Sequence, residues 1–158
     1  MRSKRAKKRL VLPDEVYGDR LVTRLINRTM RDGKKSVAQK QIYHALEQIK
    51  EKTKKDPVEI FHQALDNVKP TMEVHSRRVG GAAYQVPAPV KGDRRESLAV
   101  RWMIEAARKR SSSQYHTFSE KMTAEILDAF KREGEAVRKK ETSHKMAEAN
   151  KAFAHFRW

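Results

Sequence analysis

The 158-residue sequence predicts a mainly α-helical protein: a bundle of about six helices with a projecting β-hairpin arm inserted between the third and fourth, after a basic N-terminal extension. Three observations predict this fold. Apolar residues recur at helical spacing in successive segments. Capping signals precede several of these segments. One extended segment has two glycines at its centre, as in a tight hairpin turn. The length suits one domain, which we expect over residues 12–158 after a basic arm at 1–11.

The first helix is predicted to have a core face and an arginine face. Asp19 is a suitable N-cap, and Gly33 is a suitable end. The apolar side chains on one side are Leu21, Val22, Leu25, Ile26 and Met30. The arginines, within about 80° of one another on the other side, are Arg20, Arg24, Arg28 and Arg31. A solvated helix face usually mixes charges, so this stripe without acidic residues favours an anionic partner.

The second and third helices are predicted from their starts and their apolar stripes. Ser36 and Gln39 have the spacing of a capping box at the start of the second helix. Asp56 is a suitable cap for the third helix, Pro57 suits its first turn, and Pro70 is expected to end it.

The segment HSRRVGGAAYQVP, residues 75–87, predicts a β-hairpin at about 73–89. If Gly80 and Gly81 form the turn, Arg77 faces Tyr84 on one side of the ribbon and Arg78 points to the other. Arg77 and Tyr84 either make a cation–π contact with each other or stack on unpaired bases. Because neither side of the ribbon is consistently apolar, we expect the hairpin to project into a partner.

The fourth helix is expected to begin at Gly92-Asp93 and to be central, because apolar residues cover most of its circumference. Its narrow polar edge is mainly basic and consists of Arg94, Ser97, Arg101, Glu105 and Arg108. Thr117 and Glu120 have capping-box spacing at the start of a fifth helix, which is expected to run to Gly134.

The C-terminal helix and tail, residues 135–158, have a thin apolar face formed by Val137, Met146 and alanines. We therefore predict that this segment lies on an external surface and that truncation after Lys140 leaves thermal stability nearly intact. Its basic and aromatic side chains are Arg138, Lys139, Lys140, Lys145, Lys151, Phe153, Phe156 and Trp158.

The charge of the chain indicates a polyanionic partner. Thirty-six Lys and Arg residues against twenty Asp and Glu give a formal net charge of +16. Binding to nucleic acid would neutralise this excess and release condensed counterions. The first nine residues, MRSKRAKKR, carry six basic side chains and are expected to stay disordered until they meet phosphate. A degenerate organelle-targeting peptide is the alternative interpretation of this arm.

The sequence carries no pattern typical of an enzyme. The chain has no cysteine, which excludes disulfides, thiolate zinc sites and cysteine nucleophiles. Its six histidines are dispersed without a short metal-ligand spacing, and VGGAAYQ lacks the lysine of a phosphate-binding loop. We expect no metal, no cofactor and no catalysis. The alternatives are an architectural DNA-binding protein with a β-ribbon arm and an RNA-modifying enzyme.

Several long segments resemble one known family. They are DRLVTRLINRTMRDGKKS, DPVEIFHQALDNVKP, RRVGGAAYQVP, ESLAVRWMIEAAR and SHKMAEANKAFAHFRW, and the resemblance runs from about Leu12 to Trp158. In this order they resemble bacterial small-subunit ribosomal protein seven.

The resemblance implies a structural ribosomal RNA-binding protein. Members of this family are primary binders of the 3′ major domain of the small-subunit RNA and nucleate assembly of the subunit head. Their hairpin and C-terminal helix lie near the exit-site tRNA and the mRNA exit path, beside small-subunit proteins nine and eleven. The resemblance thus implies a location in the cytoplasmic ribosome or that of an organelle. We expect no membrane association, because no apolar run of transmembrane length occurs, and no homo-oligomer, because the sequence offers no obvious apolar dimer face.

The resemblance and the charge pattern together indicate two sets of candidate site residues. The candidate RNA contacts are Arg2, Lys4, Arg5, Lys7, Lys8, Arg9, Arg20, Arg24, Arg28, Arg31, Lys34, Lys35, Arg77, Arg78, Arg94, Arg95, Arg101 and Arg108. The candidate tRNA and interface residues are Arg77, Arg78, Gly80, Gly81, Tyr84, Lys139, Lys140, His144 and Lys145. Most cations are expected to contact phosphate and so to position the RNA rather than read its sequence.

Overall fold

Six α-helices, one 3-10 helix and one two-stranded antiparallel hairpin form the part of the protein that the computed structural model describes, residues 9–156. The α-helices are α1 (Arg20–Thr29), α2 (Lys35–Thr53), α3 (Pro57–Val68), α4 (Asp93–Lys109), α5 (Phe118–Phe130) and α6 (Glu135–Ala149). The strands are β1 (Met72–Val79) and β2 (Ala82–Pro89), and the 3-10 helix is Lys151–Phe156. The predicted fold class, with the hairpin between the third and fourth helices, is confirmed.

Local capping residues determine where three helices begin. The Asp19 carboxylate accepts the amide protons of the second and third residues of α1, at 2.7 and 2.9 Å. Asp56 caps α3, and Pro57 occupies its first position. Thr117 and Glu120 form the reciprocal capping box of α5. These three predictions are confirmed because each cap depends only on neighbouring residues.

The start of α2 differs from the prediction. The helix begins at Lys35, one residue before Ser36, and its N-cap Lys34 makes no side-chain capping bond. The predicted capping box is therefore wrong, and the Gln39 Nε2 instead donates to the Tyr43 Oη at 2.7 Å.

The end of α1 also differs. The helix stops at Thr29, well before Gly33, because Met30 leaves the helical region with φ −52° and ψ 137°. Arg31 consequently lies in the loop after α1 rather than on its arginine face.

One hydrophobic core draws residues from all six α-helices. Helix α5 packs against α2, α3 and α4, and α4 contacts α1, α3 and α6. The largest fully buried side chains include Phe61, Met103, Met122 and Ile126. Trp102, on α4, is 8% exposed and packs in this core. The core thereby fixes α1 and α4 side by side, which positions the arginines considered below.

A buried ion pair joins the ends of α4 and α5 to the start of α6. The Arg110 Nε donates to the Glu125 carboxylate at 2.8 Å, and the same guanidinium contacts Asp128. The other Glu125 oxygen accepts the Ala136 amide proton at 3.0 Å, and Glu125 is fully buried. Gly134 lies against this group, because a Cβ added there would come within 3.1 Å of the Glu125 oxygen.

The hairpin has the predicted register. Gly80 and Gly81 form the turn with φ values of 58° and 89°, and Arg77 pairs with Tyr84. The tip is exposed, but Val86 near the base is only 1% exposed. Both strands contact α6. The hairpin is thus exposed at its tip, while its base is part of the protein's own packing.

The C-terminal tail packs on the hairpin. The Tyr84 ring centroid lies 5.2 Å from those of both Phe153 and Phe156, and the 3-10 helix contacts β2. The tail remains on the outside of the protein, because no residue of the 3-10 helix is buried and both phenylalanines are half-buried, but its attachment to Tyr84 was not predicted. Trp158 lies outside the described residues.

Helix α6 is anchored by small residues. Ala136, Val137 and Ala147 are its buried residues, whereas Met146 is 52% exposed and does not contribute to the core. Of the residues in the predicted apolar face of α6, Val137 and two alanines are buried, and Met146 is not.

Candidate nucleic-acid interface

Folding pairs some of the predicted RNA-binding arginines with acidic residues. Arg24, on α1, contacts Asp93 at 2.9 Å and also Glu96, both on α4. Arg20 lies 3.5 Å from Glu96. The arginine stripe of α1 lacks acidic residues in the sequence, yet its first two members face carboxylates across the contact between α1 and α4.

The start of α4 shows the same division between paired and unpaired cations. Arg94 donates to Glu73 of β1 at 3.1 Å and so connects α4 to the base of the hairpin. The adjacent Arg95 has a buried Nε with no hydrogen-bond acceptor among the described residues.

Unpaired arginines meet where the end of α1 lies against the second half of α4. Arg28, Arg101 and Arg108 line one cavity of about 330 Å³. Arg28 and Arg101 form no ion pair within residues 9–156, and the Arg101 Nε is buried without an acceptor. Arg108 donates to the Thr29 carbonyl at 2.9 Å, which fixes its guanidinium between the two helices.

Arg108 is affected both by its burial and by the neighbouring arginines. Burial lowers the pKa of the Arg108 guanidinium, and the positive charges of Arg31 and Arg28 lower it further. Glu105 acts in the opposite direction, but its carboxylate is shared with Lys139. Because these cations repel one another, an anion placed among them would be stabilised.

A second cavity, of about 420 Å³, adjoins the first at the start of α2. Its lining includes Arg31, Lys34 and Arg108, so Arg108 belongs to both cavities. Lys35 follows Lys34 and is exposed. We call Arg28, Arg31, Arg101 and Arg108 the arginine cluster; together with Lys34 these residues line the two adjoining cavities.

Arg9, the first described residue of the basic arm, lies beside the arginine cluster. Arg9 lines a cavity of about 520 Å³ together with Arg24 and Arg28. The other predicted arm contacts, Arg2, Lys4, Arg5, Lys7 and Lys8, lie outside the described residues.

The hairpin tip carries two exposed arginines, Arg77 and Arg78, which form no ion pair with a described residue. Arg77 lies opposite Tyr84, but the Tyr84 ring packs against the C-terminal tail. Within residues 9–156, the cation–π contact is instead between Arg110 and Tyr115, at 5.6 Å. The cross-strand cation–π alternative for Arg77 is therefore not formed. Gly80 and Gly81 are exposed at the turn.

Three of the four α6 residues predicted to face an interface have partners inside the protein. Lys139 pairs with Glu105, and the Lys140 Nζ donates to the Asn67 carbonyl at 2.6 Å. The His144 Nε2 accepts the Thr71 amide proton at 3.0 Å. Lys145 is exposed and forms no ion pair in the described part of the chain.

The His144 environment keeps its imidazole neutral. Burial lowers the pKa of His144, and the charges of Lys140 and Arg95 lower it further. A neutral imidazole nitrogen can accept the Thr71 amide proton, whereas a protonated one cannot. His144 therefore secures the base of the hairpin.

The described part of the chain has neither a group of metal-ligating side chains nor a helix suited to cross a membrane. Within residues 9–156, no three or more histidine, aspartate or glutamate side chains are grouped to hold a metal ion. None of the described helices combines the length and the apolar character needed to cross a membrane.

The sequence interpretation overlooked the non-basic lining of the cavity at the start of α2. Thr29, Val37, Gln41 and Phe118 all line it and come from three different elements or their ends. One feature of the sequence points to this cavity. The N-cap of α2 and its first residue are both lysines, Lys34 and Lys35, and the first turn has no acidic residue, although helix N-termini prefer acidic residues.

Comparison with known proteins gives one consistent result. The model of the family described as Ribosomal protein S7p/S5e matches residues 1–151, which include the basic arm. The protein named small ribosomal subunit protein uS7 of Thermotoga maritima is 56% identical over 158 residues, covering 100% of both chains. Its namesake in Thermosipho africanus is 57% identical over the same coverage. The Paracoccus denitrificans protein is 56% identical over 153 residues, 97% of this chain and 96% of that relative. This chain therefore belongs to the ribosomal protein S7p/S5e family.

Proposed function

We propose that the protein binds small-subunit ribosomal RNA through the arginine cluster and the adjoining Lys34. Membership in a ribosomal protein family supports this assignment, as do relatives that are named small-subunit proteins. Arg9 lies beside the arginine cluster, and the sequence of the basic arm carries five further cations.

One observation carries the proposal: the fold neutralises the first half of the α1 arginine stripe and leaves the second half without acidic partners. Arg20 and Arg24 face carboxylates of α4, whereas Arg28 and Arg31 lie beside Arg101 and Arg108. These unpaired arginines have no carboxylate to neutralise them in the described part of the chain, and the closely spaced phosphates of an RNA backbone would supply the missing negative charge.

Recognition is expected to depend mainly on RNA shape. Guanidinium groups held at fixed positions contact phosphates and so set the orientation of the protein. A folded RNA junction offers a specific arrangement of phosphates and some unpaired bases, which a rigid helical surface can select.

The finer assignment concerns the place of the protein in the ribosome. We propose that it is a primary binder of the 3′ major domain and nucleates assembly of the head. The hairpin tip would then lie near the exit-site tRNA and the mRNA exit path, with small-subunit proteins nine and eleven as neighbours in the cytoplasmic ribosome. The exposed, unpaired Arg77 and Arg78 support a contact at the tip.

A chemical footprint on small-subunit RNA tests the RNA assignment. We expect protection confined to the 3′ major domain when the full chain is added at physiological salt. Protection spread evenly over the RNA would contradict it.

The hairpin assignment is tested separately by the Arg77→Ala/Arg78→Ala variant. We expect the isolated domain to keep its thermal stability, because both side chains are exposed and unpaired, while assembled subunits lose exit-site tRNA retention. The Lys131→Ala/Arg132→Ala variant removes the same charge from the α5–α6 turn and serves as the control. Equal tRNA retention in both variants would contradict the assignment.

A further inference from the structure

The cavity at the start of α2 has a mixed lining. It combines the cations Arg31, Lys34, Arg108 and Lys121 with the apolar side chains Val37 and Phe118. Its volume of about 420 Å³ lies in the range of sites that hold small organic groups. A lining with both cationic and apolar residues suits a ligand that has an anionic part and a flat apolar part.

The backbone at the start of α2 has free hydrogen-bond donors. Lys34 caps α2 without a side-chain bond. The amides of Ser36 and Val37 have no acceptor in the described part of the chain. An N-terminus with lysines where carboxylates are preferred is unfavourable in isolation. A phosphate at this place would accept from these amides and neutralise the lysines.

Thr29 gives an independent indication of a missing partner. Its side chain lines the cavity and is only 8% exposed, yet its hydroxyl has no hydrogen-bond partner in the described structure. Buried hydroxyls normally find a partner. The neighbouring Arg108 is close to other cations and lacks a carboxylate of its own. Asp32 is an acidic residue in the lining, and it is exposed.

The apolar residues of the lining indicate a nucleotide rather than a simple anion as the ligand. Val37 is 56% exposed although it is apolar, and Phe118 is only partly buried. The Gln41 side-chain oxygen accepts the Ser119 amide proton at 3.2 Å, which leaves its amide nitrogen available to donate to a base edge. An aromatic ring beside such a donor is typical of sites that hold an unpaired base.

We propose that this cavity binds a single unpaired nucleotide of the bound RNA. Its phosphate lies against Arg31, Arg108 and the α2 amides, and its base lies between Val37 and Phe118. The proposal rests on the RNA-binding function proposed above and adds a defined base-binding position to a surface that otherwise contacts phosphates.

Val37→Glu tests the proposal without threatening the fold. Val37 is exposed and occupies the third position of α2, where a carboxylate is favourable to the helix. We expect thermal stability to be kept or raised, while affinity for a small-subunit 3′-domain RNA falls about tenfold at fixed salt, because a base contact is lost and a carboxylate opposes the phosphate.

Val37→Gln is the matched control, because it has nearly the same size and no charge. We expect a smaller loss of affinity than for Val37→Glu. A footprint should show one unpaired nucleotide that loses protection in Val37→Glu while the remaining protection persists. Wild-type affinity and footprint in Val37→Glu would overturn the nucleotide site and leave the proposed function standing. Failure of the wild-type chain to bind the RNA would instead contradict the proposed function.

A measurement without RNA tests the site by itself. Amide NMR signals of Ser36 and Val37 in the full chain are followed while inorganic phosphate, or each of the four ribonucleoside 5′-monophosphates, is added. We expect saturable shifts, with at least one nucleotide binding at least about fivefold tighter than phosphate, because its base adds a stacking contact. Equal binding of phosphate and all nucleotides would reduce the site to an anion site and overturn the proposal. No shift with any of these ligands would also overturn it.

Discussion

Replacing Tyr84 with alanine is expected to release the C-terminal 3-10 helix from the hairpin. The Tyr84 ring contacts both Phe153 and Phe156 at centroid distances of 5.2 Å. Each aromatic pair contributes about 0.5–1.5 kcal/mol beyond area burial, so the variant should lose about 1–3 kcal/mol of tail attachment. Because 1.4 kcal/mol corresponds to a factor of ten, the tail should open about 5 to 150 times more often.

Amide hydrogen exchange measured by NMR reports this opening directly. The Phe153 amide donates to the Asn150 carbonyl at 3.0 Å within the tail, so its exchange should accelerate by that factor in Tyr84→Ala. Tyr84→Phe keeps the ring and should exchange like the wild type. Arg77→Ala removes the cross-strand partner of Tyr84 and should also leave tail exchange unchanged. Unaltered exchange in Tyr84→Ala, or equal acceleration in Arg77→Ala, would refute this account of the tail.

Three further predictions concern stability and pH. Arg110→Met should lower the free energy of unfolding in urea by about 3–5 kcal/mol, because it leaves the fully buried Glu125 carboxylate without its cation; a loss below about 1 kcal/mol would show that the pair is dispensable. The lowered pKa of His144 means that its bond to the Thr71 amide is fully present above about pH 6.5 and is lost as the pH falls through the lower folded value. The Thr71 amide NMR shift should therefore titrate with a midpoint below 6.5, and a midpoint at or above 6.5 would contradict this. Truncation after Lys140 should lower the melting temperature, since it removes the hairpin-base and tail contacts; an unchanged melting temperature would instead agree with the sequence-based expectation that thermal stability stays nearly intact.

Membership in a family of ribosomal proteins confirms that the chain is a structural protein rather than an enzyme. It also favours the ribosomal function over the architectural DNA-binding alternative. A ribosomal RNA-binding protein and an architectural DNA-binding protein both require a large positive charge. The net charge of the chain alone therefore does not distinguish these two functions.

Features that depend on neighbouring residues could be predicted from the sequence. The caps at Asp19, Asp56 and Thr117 follow from the bonds that a side chain makes to the next turn. The hairpin register follows from Gly80-Gly81, because a two-residue turn leaves one pairing between its strands.

Contacts between distant segments could not be predicted in the same way. Arg24 and Glu96 are 72 residues apart, and helical spacing on one segment does not show which charges another segment brings. The attachment of Phe153 to Tyr84 is of the same kind. The candidate site could therefore be located by its basic residues, but only the packing of α1 against α4 separates the paired from the unpaired ones.

The salt dependence of RNA binding tests most directly whether the unpaired arginines contact the RNA. The measurement compares the slope of log affinity against log salt for the wild type, for Arg28→Gln/Arg101→Gln and for Lys131→Gln/Arg132→Gln. Each phosphate contact contributes about 0.7–0.9 to the slope, so the first variant should reduce its magnitude by about 1.5, while the second, which removes equal charge elsewhere, should leave it nearly unchanged. Equal reductions in both variants, or none in the first, would contradict the assignment of the arginine cluster to RNA.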